Sequence, residues 1–88
     1  MIMSNDISLK EMSFGSLCHL IRPIIFKIMN QHQVQHWNVR DWEHEGVICL
    51  FRLIQDNPSC LNYSSLFFLS FQMKFSSYLK EYINSKRE

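Results

Sequence analysis

The stretch SLFFLSFQMKFSSYLKEYI, Ser65 to Ile83, decides the fold. Its first part, Leu66 to Phe71, is aromatic and apolar enough to pass for a buried strand. The spacing that follows points elsewhere. Phe67, Phe68, Phe71, Phe75, Tyr78, Leu79, Tyr82 and Ile83 recur every three or four residues and form the wide apolar stripe of a helix. This helix is predicted from about Ser64 towards the C-terminus. Strand alternation is absent here and along the rest of the chain.

Working back, the segment from Asn38 to Gln55 reads as a second helix. Asn38 and Asp41 are both competent caps, Trp42, Val47, Leu50, Phe51 and Ile54 share a side, and Pro58 ends it. A first helix is predicted from near Ser8, where Ser8 and Glu11 have capping-box spacing, with Phe14, Leu17, Cys18, Ile21, Ile24, Ile25 and Ile28 on its apolar side. Pro23 should kink or split it. Two glycines and two prolines in 88 residues leave few places to turn, which favours a few long helices. The fold class is all-α, a small three- to four-helix bundle, with residues 1–88 as one domain and no room for a second core. Leu50 and Phe71 should therefore meet in the same interior.

Charge is separated along the chain although the net value is only +1. Asp41, Glu43 and Glu45 sit together, whereas Lys74, Lys80, Lys86 and Arg87 dominate the last fifteen residues over Glu81 and Glu88. Acids in a first turn complement the positive end of the helix dipole, which accounts for Asp41 and Glu43. Glu45 is accounted for less well. Together with Asp41, His44 and Ile48 it falls on a face largely opposite Leu50 and Ile54, as a docking surface for a basic partner helix would.

Several chemistries find no support. His32 and His36 are spaced for one helical face, and Cys18, His19, His44 and Cys49 could add zinc ligands, but no Cys-x-x-Cys or His-Glu-x-x-His spacing occurs. Cys18 and Cys49 fall on apolar faces, where thiols act as small hydrophobes. With no glycine-rich phosphate loop either, we read no enzyme, no metal, no cofactor and no small-molecule substrate. The odd cysteine count without a signal peptide suits a reducing cytoplasm. The apolar runs are too short or interrupted to cross a bilayer of ~30 Å, so no membrane association is expected. For single-stranded nucleic acid the C-terminal third is better supplied: Tyr63 as a stacking platform, Lys74, Lys80 and Asn84 as donors, and Tyr78 at an edge. The phenylalanines are core, and the lysine stems should flank them with their ammonium groups in solvent.

The run Asp41-x-x-His44-Glu45-Gly46-x-Ile48-x-Leu50-x-Arg52 resembles the Asp-Leu-x-Gln-Glu-Gly-x-x-x-Leu pattern in the second conserved region of the sigma-70 family of RNA polymerase sigma factors. IRPIIFKI, Ile21 to Ile28, is similar to the preceding region-two helix, and KFSSYLKEYINSKRE, Lys74 to Glu88, to the following DNA-contacting helix. Trp37, the Asp41-Trp42 pair and Lys74-Phe75 occur in the order found in the competence-type sigma factors of streptococci and lactococci. The resemblance covers the chain from about Phe14 onward.

What the resemblance implies is a transcription initiation module of the region-two type. Asp41, His44, Glu45, Val47 and Phe51 would contact the clamp helices of the RNA polymerase β′ subunit. His44 stands where many members have Gln, keeping a hydrogen-bonding group. The loop NPSCLNYSS, Asn57 to Ser65, and the exposed side of the third helix would capture the melted non-template strand of the minus-ten promoter element, through Tyr63, Lys74, Tyr78, Lys80, Asn84, Lys86 and Arg87. Nothing after Glu88 supplies the helix-turn-helix domain of a whole sigma factor, which implies the N-terminal part of a longer protein. The alternative from the residues alone is a small helical protein-interaction or regulatory adaptor that binds no DNA.

Overall fold

In the computed structural model, which describes residues 7–32, 34 and 36–85, three helices are joined by short connections. They are α1 (Phe14–Gln31), α2 (Val39–Asp56) and α3 (Ser64–Ser85), with a 3-10 turn (Pro58–Asn62) between the last two. No strand occurs among the described residues, and the all-α expectation holds as a three-helix bundle.

α1 starts later than its sequence suggests. Its cap is Ser13, whose hydroxyl accepts from the Ser16 amide at 3.2 Å, while Ser8 only accepts from the Lys10 amide at 3.4 Å. The cause is Leu9, which is 1% exposed and donates its backbone N–H to the Leu61 carbonyl at 2.8 Å. Burying Leu9 under the bundle holds residues 7–13 out of helix, a tertiary gain that outweighs the local capping-box signal. Pro23 does not split α1, which runs on to Gln31. Pro23 and His19 are both exposed, so the carbonyl that loses its helical donor lies where water reaches it. The helix ends before His32, and His36 sits in a turn at φ 76°, so the two histidines do not share a helical face.

Asn38, not Asp41, caps α2. The Asn38 side chain accepts from the Asp41 amide at 2.9 Å, and the Asp41 carboxylate accepts from the Asn38 amide at 3.0 Å, a reciprocal capping box. At the other end Asn57 donates to the Leu53 carbonyl, and Pro58 opens the 3-10 turn.

One interior holds the three helices together. Leu17, Ile21, Ile25 and Ile28 of α1, Trp42, Cys49, Leu50 and Leu53 of α2, and Phe67, Phe71, Phe75 and Leu79 of α3 are all buried. Leu50 and Phe71 lie in that core as expected, both with 0% exposure. α1 and α2 run in opposite senses, since Phe14 meets Phe51 at one end and Arg22 meets Glu43 towards the other. They cross closely at Gly46, where Ile25 occupies the space a Cβ would take.

Candidate docking and nucleic-acid faces

The head of α2 carries the acidic residues, and each has a partner within the chain. Asp41 is committed to the capping box, Glu43 pairs with Arg22 at 2.7 Å, and Glu45 accepts a hydrogen bond from the Tyr78 hydroxyl at 2.5 Å. Asp41, Glu43 and Glu45 are half-buried, which corrects the expectation of an exposed Glu45 and of a continuous acidic stripe with Ile48. The reason is proximity: α1 and α3 flank the head of α2 and bring Arg22 and Tyr78 against its acids.

What α2 does present outward is a narrower stripe. Arg40, His44, Val47 and Phe51 follow one another at steps of four, three and four residues, which keeps them on one helical side. His44 is exposed, Val47 is half-buried, and the Phe51 ring is 54% exposed with its edge against Phe14 at 6.3 Å. Beside this stripe a groove of about 260 Å³ opens between α1 and α2, lined by Gly15, Cys18, His19, Arg22, Glu43 and Val47. The face is thus apolar with mixed charge. Sequence reading misses the share of α1: the period puts Phe14 on the apolar side of its helix, but the opposite sense of the two helices leaves it 40% exposed beside Phe51.

The residues expected to meet nucleic acid divide into two sets. Lys74 and Lys80 are six positions apart, about 120° around the helix, so they do not share a side. Lys74 is half-buried and pairs with Asp56 at 3.4 Å, and Tyr78 is taken up by Glu45. Lys80 and Asn84 are exposed on another side of α3, while Tyr63, 40% exposed, precedes the helix. Lys86 and Arg87 lie outside the described residues. The outward line of Lys80 and Asn84 also carries Leu66, Leu69, Met73 and Ser77, all exposed. In the sequence the stronger Phe67–Phe71–Phe75 pattern masks this second apolar stripe, whose signal is the three-and-four spacing of Leu66, Leu69 and Met73.

Tyr78 stands at the end of an aromatic chain. Its ring lies 6.4 Å from Tyr82, which tilts against Trp37 at 5.0 Å, and Trp37 in turn meets Trp42 edge-on at 5.0 Å. Burial, with the Glu45 carboxylate beside it, holds the Tyr78 phenol above its ordinary range, so at neutral pH it is a donor. Burial likewise pushes the Cys49 thiol up to about 11, with Glu45 adding to it, and raises Cys18 and Cys60. All three thiols are free. Among the described residues no group of three or more His, Cys, Asp or Glu is placed to hold a metal ion, and no helix is long and apolar enough to cross a membrane.

No protein-family model, curated protein or solved structure matches the chain.

Proposed function

We propose that this chain is a sigma region-two domain that docks on the RNA polymerase β′ clamp helices through α2 and meets the non-template strand of the minus-ten element through α3. The observation that carries the reading is the outward line of His44, Val47 and Phe51. These motif positions fall on one accessible side of a single helix, and Glu45 lies about a third of a turn round from them, towards α3. A coiled-coil partner needs such a line, since it engages side chains at helical spacing. Glu45 keeps acceptor capacity for a basic partner, because a carboxylate offers about four acceptor sites and Tyr78 uses one. On α3, Lys80 and Asn84 share the outward side and supply a phosphate donor, and Tyr63, exposed just before the helix, supplies a stacking surface.

The test is binding of the full chain to core RNA polymerase. Wild type should co-purify with it, and Glu45→Lys should weaken binding more than tenfold, about 1.4 kcal/mol, by replacing attraction with repulsion. Unchanged binding of the variant would reject the docking assignment. The adaptor reading draws on the exposed Leu66, Leu69 and Met73, a surface suited to a protein partner. Indifference of the wild-type chain to core polymerase would favour it.

A further inference from the structure

The residue-by-residue resemblance gives Tyr78 to DNA, yet its hydroxyl points at the acidic head of α2. We infer that Tyr78 is a positioning residue of the docking face, which fixes the Glu45 carboxylate in one orientation for its basic partner. The inference rests on the docking reading above and goes further, since it draws α3 into a face otherwise built from α2 and α1.

Three observations carry it. The Tyr78 hydroxyl lies 2.5 Å from Glu45 Oε1, a short bond of the kind made to an ionised acceptor. The tyrosine itself is held in place: it is half-buried, it follows Phe75 and precedes Leu79 in the packed face of α3, and its ring leans on Tyr82, which leans on Trp37. Glu45 has no such support of its own, because a glutamate on a helix surface explores several rotamers. A fixed donor bonded to one carboxylate oxygen selects one of those rotamers before the partner arrives. The second oxygen stays available, so the bond orders Glu45 without using it up. Ordering a rotamer-rich side chain in advance removes part of the entropy that association would otherwise cost. The same geometry argues against stacking on DNA, because the ring is half-buried beside Tyr82 and Lys80 and Asn84 lie on another side of the helix.

A double-mutant cycle on the full chain against core RNA polymerase decides the point. Tyr78→Phe keeps the ring and its packing and removes only the hydroxyl; Glu45→Ala removes the carboxylate it holds. Binding is measured at a temperature where far-UV circular dichroism shows every variant folded. Tyr78→Phe should weaken binding about three- to tenfold in the wild-type background. It should have no further effect once Glu45 is Ala, because nothing remains to be positioned. A purely structural role would weaken binding equally in both backgrounds and overturn the inference, as would a Tyr78→Phe chain that binds like wild type. Failure of the wild-type chain to bind core polymerase would reject the docking reading itself, and the assignment of Tyr78 with it. Glu45→Gln provides a second check: it keeps an acceptor for the hydroxyl but not the charge, so it should lose affinity while keeping the melting temperature of wild type.

Discussion

Gly46 is the position where one side chain more would be too many. A Cβ built there runs into Ile25 Cδ1 and comes within 2.8 Å of Ile25 Cγ1, while Ile25 is itself only 1% exposed and β-branched. Such a side chain cannot swing aside, because two heavy atoms on its Cβ restrict its rotamers and the core around it is full. Alanine would gain roughly 0.5–1 kcal/mol from its better helix propensity, against a typical 1–3 kcal/mol for overpacking. Gly46→Ala should therefore destabilise the domain by about 1–2 kcal/mol, a drop of several degrees in a thermal melt of a domain this size. A melt at or above the wild-type temperature would show that α1 can back away from α2. The Glu-Gly pair of the motif thus has a packing reason: Gly46 permits the close crossing, while Glu45 beside it turns towards Tyr78. The first half of this was hidden in the sequence, where Gly46 appears only as a poor helix former. The cap at Asn38 and Asp41 was legible, because a capping box depends on residues three apart and on nothing distant.

At the scale of elements, local signals identified the helices and long-range ones set their ends. α3 was readable from its own period, since Phe67, Phe71, Phe75 and Leu79 keep one face buried over three turns. The start of α1 was not, because Leu9 is held by Leu61, a contact across more than fifty positions that no local pattern announces. Pro23 marks the same limit from the other side. Its ring denies the His19 carbonyl a helical partner, yet Leu17, Ile21, Ile25 and Ile28 hold the helix on the core on both sides of it. Proline in a helix interior is about 3 kcal/mol less favourable than alanine, and its stiffening of the unfolded chain returns up to about 1 kcal/mol. Hydration of the exposed His19 carbonyl reduces the difference further. Pro23→Ala should stabilise the domain by about 1–2 kcal/mol, visible as a higher denaturant midpoint with an unchanged slope. A lower midpoint would mean that the packing of α1 depends on a bend at that residue.

Over the whole molecule, one interior fixes two outward lines. Once Trp42, Leu50 and Leu53 face the core, His44 and Phe51 have to point away from it, and once Phe67, Phe71, Phe75 and Leu79 are buried, so do Leu66, Met73 and Lys80. The sequence could place these residues on helices but could not tell which charges the neighbouring helices would consume, and that decided the fate of Glu43, Glu45, Lys74 and Tyr78. The consequence for the nucleic-acid reading is an asymmetry between two lysines that composition treats alike. Lys74 is half-buried and already faces Asp56, so a phosphate would gain little there; Lys80 is exposed on the line that also carries Asn84. Each phosphate contact with a single strand contributes roughly 0.7 to the slope of log affinity against log salt. With a single-stranded minus-ten oligonucleotide bound to the complex with core polymerase, Lys80→Ala should flatten that slope by about 0.7 while Lys74→Ala leaves it near the wild-type value. Tyr63→Ala should lower affinity at every salt concentration by about 1–3 kcal/mol without changing the slope, since stacking releases no counterions. The reverse pattern, a flattened slope for Lys74 and none for Lys80, would place the strand on the Asp56 side of α3 and take the outward line of Lys80 and Asn84 out of DNA binding.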